Sequence, residues 1–518
     1  MLLVALRLSQ AALAAPEVLV AELATPLDRD DPLPSWIVAE GCTVQARARM
    51  ALQLHCPARP GPRPEVSHLR APAYASAKGL VTSEGHGMTV PTSWAEAGIT
   101  GARVHIGILD VGFSGYEDLL GTELPDDVAT DFTHGSPEGS THGAAVAEVI
   151  HDFAPDATLH LVSFSTDVEF AAGVETLVAE GVDVINGSIG FDNVWPADGT
   201  SIASQAVDGA RDAGVIYVAA AGNENDKYVI GSVSPGLNGL VLLNSAPFQT
   251  VWTRSGQAYV SLRWSEPFGA AGTDLNLHLV DGDGAVCASS VRAQPGNGDP
   301  YEEISTIDCE GASVRTVLTG GPTPLLDGLT AWLYSPYGVA DPTGSNNLTL
   351  PGDADGAFTV GAYTVDGEVP EWSSRGPTDD GRQKPDVVGP TGVSTVTFGA
   401  EGFDGTSASA PHGAGLAALW LDATHLWFEP ERFRTWATDG AIDLDVVGVD
   451  AASGAGALYA GDVPDRHCGC GSRSRNSPFV WILGLIAARR VRRTEARQNS
   501  HEATRRARPA AATVKTSP

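Results

Sequence analysis

Basic side chains are scarce in this 518-residue chain, where 32 Lys+Arg stand against 63 Asp+Glu for a net charge of -31. The shortage is uneven. From Val463 onward 12 Lys+Arg oppose 3 Asp+Glu, so the remainder carries 20 against 60. An acidic body of that kind cannot neutralise phosphates, which excludes nucleic acid as its partner. Cysteine is rare as well: there are six, and no C-x-x-C pair sets up a thiolate metal site. They fall as three local pairs, Cys42 with Cys56, Cys287 with Cys309, and Cys468 with Cys470. Long apolar runs are missing too. The stretch Pro478 to Ala488 covers about 16 Å as a helix, against the ~30 Å of a hydrocarbon core, so a stable membrane span is not expected there.

What the chain does have is length for two or three domains and a substantial core, with many Ala, Gly and Val residues. The first fifteen residues are apolar and end in small side chains, the pattern of a cleaved secretory signal over 1–15. Export would make disulfides of the first two cysteine pairs. Residues 16–85 are rich in Pro, Ala and Arg and read as a leader or propeptide-like segment, with a disordered linker as the plainer reading. A helix stopped by glycine is expected over 94–101, followed by a buried strand over Val104–Asp110. Helices over 142–151, 168–180 and 202–212 then alternate with strands over 159–164, 182–185 and 215–218. Such alternation predicts a parallel sheet covered by helices on both faces, with its site beyond the carboxyl ends of the strands.

From 246 to 352 the texture becomes period two. Val260, Leu262 and Trp264 alternate with polar residues, as do Leu275, Leu277 and Leu279. An all-β sandwich stapled by Cys287 and Cys309 is expected there. Its acidic turns, such as Asp281–Gly284, offer oxygen ligands for a structural Ca²⁺, though solvated loops are the better reading of them. The α/β texture returns over 353–462, so the sandwich is inserted within the domain that began at 86. The fold class is thus α/β, a parallel sheet with helices on both faces, interrupted by an inserted all-β sandwich.

Three residues in this frame invite joining. Asp110 ends a buried strand, His142 opens a helix, and Ser407 follows Gly405-Thr406 at the start of an Ala-rich helix. A helix N-terminus favours developing negative charge, and an oxyanion is such a charge. A serine hydroxyl needs a base to take its proton; imidazole serves near neutral pH, with a carboxylate to fix its tautomer. The order Asp…His…Ser and the absence of any G-x-S-x-G elbow separate the chain from esterases of the α/β-hydrolase type. Ser409 is a rival nucleophile only by proximity, since two residues along a helix turn it roughly 200° away. His151, His160 and His425 have no ligand partners at metal spacing and read as surface or packing residues.

Four motifs carry a family resemblance: Ile108-Leu-Asp110-Val-Gly112, Thr141-His142-Gly143-x-x-Val146-Ala147, Ala220-Ala-Gly-Asn223 and Gly405-Thr-Ser407-x-x-x-Pro411-His412. With these the chain resembles the subtilisin-like serine proteases, over about 86–245 and 353–460. The resemblance implies that Asp110 orients, His142 is the base and then the acid, and Ser407 attacks a peptide carbonyl. It also implies that the Asn223 side chain and the Ser407 backbone N–H hold the oxyanion, and that Ser188, Ile189 and Gly190 pair with extended substrate backbone. No cofactor or metal is needed for that chemistry, and the partners are protein or peptide substrates of a monomer. The sequence departs from the family pattern at Val111, where Ser or Thr is usual, at Ala144 for Thr, and at Glu148 for Gly. The tail from 463 to 518, with its Cys pair, short apolar stretch and Arg489–Arg493 cluster, resembles the C-terminal sorting signals of myxobacteria, which imply attachment to the cell envelope. An exported surface protein that binds glycan or protein through the inserted sandwich, with weak or no catalysis, is the alternative.

Overall fold

The computed structural model describes residues 17–464, apart from 29–30, 72–75, 78–79, 82–83, 308, 310–312, 321–325, 426–428 and 445. The expected signal over 1–15 and nearly all of the C-terminal tail, with Cys468 and Cys470, lie outside the described residues.

Seven parallel strands form the central sheet. In spatial order they are Val387–Pro390, Ala357–Tyr363, Ile216–Ala220, Val184–Gly187, His105–Asp110, Thr158–Ser163 and Ala129–Asp131. The strands are short apolar runs because both of their faces are covered. Ile106, Ile108, Val218 and Val360 face the helices His142–Phe153 and Thr406–Thr424. Leu109, Ile185 and Tyr217 face Asp167–Glu180 and Ile202–Asp212. The helix expected over 94–101 is shorter, Thr92–Glu96, because Gly98 turns left-handed at φ +70°.

The segment read as a leader is folded. Four antiparallel strands, in the order Thr43–Ala48, Ala51–Cys56, Glu17–Leu23 and Val66–Arg70, close around Leu19, Leu23, Ile37, Leu52 and Leu54. The Cys42–Cys56 disulfide fixes their edge. One face of this sheet, with Val20, Ala46 and Ala51, packs on Val168, Ala171 and Ala172 of the 167–180 helix. The helix start is tied to the leader as well: Thr166 caps it, and its hydroxyl donates to Gln53. Beyond Arg70 the chain pairs twice with later segments. Ser76–Ala77 lies antiparallel to Ile189–Gly190, and Leu80–Val81 antiparallel to Phe403–Asp404.

The inserted strands make one nine-stranded antiparallel sheet running from Tyr228 to Tyr334, so it starts ahead of residue 246. Tyr228–Pro235 pairs with Leu240–Leu243 on one side and Thr330–Tyr334 on the other, and so joins the two halves that fold over a common core. That core contains Val260, Leu262, Trp264, Leu275, Leu277, Leu279 and Leu333, which vindicates the alternation seen in the sequence. Asp281 spends its carboxylate on the amides of Asp283 and Ala285, which closes the acidic turn on itself. The insert leaves and rejoins the parallel sheet at nearly one point, because the Thr349 amide donates to the Ala221 carbonyl at 2.9 Å.

Cys287 and Cys309 are bonded across a separation of 22 residues. Closing a loop of that size in the unfolded chain accounts for about 3 kcal/mol of stability. Replacing both cysteines by serine is expected to lower the unfolding free energy of the insert by about that amount. Denaturant unfolding followed by the tryptophan fluorescence of Trp264 and Trp332 measures it, and an unchanged midpoint would refute the expectation.

Candidate active site

Asp110 is the last residue of the central strand and is wholly buried. Its Oδ1 accepts the Val111 amide at 2.8 Å, and its Oδ2 lies 2.7 Å from His142 Nδ1. His142 begins its helix at 2 % exposure, with its own amide on Ser140 Oγ at 3.2 Å. Closeness of the neighbouring backbone sets the ring's position: a Cβ on Gly143 would stand 2.6 Å from the Gly112 carbonyl oxygen. Phe403, four residues before Ser407, packs edge-on against the imidazole with centroids 5.3 Å apart.

Ser407 is the second residue of the Thr406–Thr424 helix and is fully buried. Gly405 precedes it at φ +124°, a conformation that L side chains rarely adopt. Pro411 stands sixth in the helix, and the carbonyl it leaves without an i+4 donor is that of Ser407. The Ser188 hydroxyl replaces the absent amide, donating to the Ser407 carbonyl at 3.0 Å. In return the Ser407 hydroxyl donates to the Ser188 carbonyl at 2.7 Å. The serine helix and the strand Ile189–Gly190 are thereby locked together. Ser409 donates to the Pro390 carbonyl at 3.1 Å, on another side of the helix.

Asn223 follows the strand Ile216–Ala220, and its Oδ1 accepts the Thr406 amide at 2.9 Å and the Thr406 hydroxyl at 3.1 Å. The amide nitrogen is the end not engaged with Thr406. Thr406 in turn accepts the Gly222 amide at 3.0 Å. Sequence reasoning quoted Thr406 inside its motif without giving it a task; its position next to the nucleophile was the only available signal. Gly190 lies under Thr349, whose Oγ1 would be 2.1 Å from a Cβ there, and Thr349 donates to Asp192 at 2.6 Å.

Two departures from the family pattern acquire reasons. Glu148 replaces a small residue so that its carboxylate can accept the Val396 amide at 2.7 Å and the Thr397 amide at 3.2 Å, tying a loop to the histidine helix. Ala144 is wholly buried beneath the sheet. His412 serves packing: burial pushes its pKa down to about 4, its Nδ1 lies 2.6 Å from the Ala408 carbonyl, and a Cβ on Gly85 would overlap its ring. His160 sits between His105 and Glu180 at the amino ends of the strands, away from this site.

Comparison with known proteins identifies the family. The subtilase family model (peptidase S8) matches residues 101–244 and 338–469, leaving out 245–337, the larger part of the insert. Pyrolysin of Pyrococcus furiosus is 28 % identical over 236 residues, 35 % of this chain and 17 % of that protein. Subtilisin DY of Bacillus licheniformis is 31 % identical over 144 residues, 24 % of this chain and 49 % of that one. The match therefore spans less than half of either relative. The structure of the Clostridium perfringens CspB protease superposes with a TM-score of 0.54 at 16 % identity, covering 73 % of this chain and 97 % of that chain, a likeness of fold. With its parallel sheet, its interrupted family match and these relatives, the chain belongs to the subtilase family of serine peptidases.

Proposed function

We propose that this chain is an exported serine endopeptidase that cleaves peptide bonds through an acyl-enzyme formed on Ser407. The observation that carries the reading is the buried 2.7 Å bond between Asp110 and His142 Nδ1, in the site whose helix N-terminus bears Ser407. Asp110 keeps the proton on Nδ1, so Nε2 is the basic nitrogen. On substrate entry the Ser407 hydroxyl leaves the Ser188 carbonyl, gives its proton to Nε2 and attacks the scissile carbonyl carbon. The oxyanion is received by the Asn223 amide nitrogen and the Ser407 N–H, where the helix dipole adds to the stabilisation. Collapse breaks the C–N bond, and the imidazolium returns the proton to the departing amine. Water then repeats the sequence to release the acid.

The antiparallel pairing of Ser76–Ala77 with Ile189–Gly190 supports the substrate role given to Ser188, Ile189 and Gly190, since an extended chain already adds to that edge as a strand. The leader lies where substrate would lie, and the chain is made latent. Two disulfides among the described residues support an oxidising compartment. Among the same residues no helix is long and apolar enough to cross a membrane. Envelope attachment through the tail after 463 rests on its sequence alone.

Hydrolysis of a denatured protein substrate, with covalent labelling by a fluorophosphonate, tests the reading. A folded, leader-free chain that neither hydrolyses nor labels would return the case to a binding protein. Asn223→Ala is expected to lower kcat by ~10²–10³ while KM stays near its original value, because the lost donor acts on charge that develops only in the transition state. An unchanged kcat would remove Asn223 from the oxyanion site.

A further inference from the structure

Two segments must keep a fixed spacing for acyl transfer: the edge Ile189–Gly190, to which an extended chain adds, and the turn after Ile216–Ala220 that carries Asn223. The insert strand Thr330–Tyr334 reaches both. Its Tyr334 hydroxyl lies 3.2 Å from Asp192 Oδ2, two residues past that edge, and 3.0 Å from Glu224 Oε2, the neighbour of Asn223. Thr349 steadies the other Asp192 oxygen at 2.6 Å. Two residues earlier on the same insert strand, the Trp332 carbonyl accepts the Asn193 side-chain amide at 3.2 Å. Ser261 Oγ of the adjoining insert strand accepts it at 3.0 Å. The substrate edge is thus continued by residues that the insert holds.

The turn with Asn223 has a second hold from the insert side. Lys227, at the entry to the insert, donates from Nζ to the Asn223 carbonyl at 2.7 Å and lies 3.4 Å from Glu224 Oε2. From the other side the Glu224 amide donates to Ser374 Oγ at 3.0 Å, and the Thr406 amide donates to Asn223 Oδ1 at 2.9 Å. Tyr334 itself is firmly seated. Its ring is buried and packs on Tyr228, its cross-strand partner, with centroids 4.8 Å apart. Arg263, over the Trp332 ring at 4.0 Å, pairs with Asp379 at 2.9 Å and pins these strands to the catalytic part. Burial, with Asp192 and Glu224 close by, pushes the Tyr334 phenol well above its ordinary range, so it stays a donor at neutral pH and beyond.

We propose that Tyr334 is a positioning residue for the hydrolysis: by bridging Asp192 and Glu224, the inserted domain sets the spacing between the substrate edge and the oxyanion donor Asn223. This rests on the reading of Asn223 as that donor and of Ser407 as the nucleophile. Tyr334 acts through its two partners and touches no reacting atom. A small hold of this kind has a large effect because an oxyanion donor works only within about 2.7–3.1 Å of the charge it receives. Displacing it by about 1 Å can lower the rate on the order of 10²-fold. Without the hydroxyl, Asp192 and Glu224 lose the donor they share, and the two walls of the cleft can relax independently.

The test uses protein expressed as the full chain, with kcat referred to sites titrated by a fluorophosphonate. Tyr334→Phe keeps the ring and removes the bridge. It should lower kcat about tenfold while KM changes by less than about threefold. The affinity of a peptide trifluoromethyl ketone, whose adduct with Ser407 carries an oxyanion, should fall by about the same tenfold factor. In an Asn223→Ala background the same substitution should lower kcat by less than about twofold, because the donor through which Tyr334 acts is gone. Tyr301→Phe removes a phenol-to-Glu303 bond elsewhere in the insert and should leave kcat unchanged, which separates positioning from mere loss of stability. A Tyr334→Phe kcat within about twofold of the parent value, or a loss equally large with and without Asn223→Ala, would overturn the proposal. A parent chain that hydrolyses nothing would instead remove the catalytic reading, and this proposal with it.

Discussion

Replacing Ser407 by alanine should lower kcat by roughly 10⁶ and abolish fluorophosphonate labelling, while leaving the fold intact. The effect is large because the oxygen lost is the atom that bonds to the acyl group. His142, Asp110 and Asn223 then have nothing to activate. Only water positioned by the remaining site could act, which leaves some residual acceleration. The variant is sterically mild. Its Cβ stays within the helix, and the connection between Ser188 Oγ and the Ser407 carbonyl does not use the lost atom. A thermal unfolding midpoint close to that of the parent, with labelling gone, is the expected pair of results. Hydrolysis or labelling that survived in Ser407→Ala would take the nucleophile away from this residue, and Ser409, bonded to the Pro390 carbonyl, would be the next to replace.

Asp110→Asn should lower kcat about 10⁴-fold near neutral pH, with KM little altered. The asparagine has the shape of the aspartate but presents an amide as well as a carbonyl. The Val111 amide holds one oxygen of the aspartate at 2.8 Å, which directs the new carbonyl toward Val111 and the new NH₂ toward His142. Facing that donor, His142 Nδ1 must accept, so the proton moves to Nε2 and the base is lost. Raising the pH should restore part of the activity, since hydroxide can then take the serine proton. A loss of less than tenfold at neutral pH would show that the 2.7 Å contact does not govern the tautomer.

Much of this was legible because the parallel sheet writes itself plainly. The strands His105–Asp110, Thr158–Ser163 and Ala357–Tyr363 are apolar runs bounded by turns, and their neighbouring helices carry the complementary stripes. Asp110, His142, Ser407 and Asn223 sit at strand ends or helix starts, and such boundaries are visible in a one-dimensional pattern. What stayed hidden was contact between distant segments. Nothing near Ser188 announces that its hydroxyl will answer the carbonyl that Pro411 strands. Likewise the leader looked irregular because its strands are short and rich in Ala and Arg, and its order comes from the cystine and from packing on another domain's helix. The insert's first strand was missed for a related reason. Tyr228–Pro235 ends in Pro-Gly and carries Gly231 within it, so its membership in the sheet is decided by its neighbours rather than by its own alternation.

The point at which the insert departs and returns has an evolutionary consequence. More than a hundred residues are spliced in just beyond Asn223, yet the two ends of the splice lie side by side, with the Thr349 amide on the Ala221 carbonyl and the Asn347 side-chain amide on the Asn225 side chain. A graft with its stumps so close leaves the host scaffold unstretched whatever its size. Lineages can therefore enlarge, shorten or exchange the outer strands of this module without disturbing Asn223 beside it.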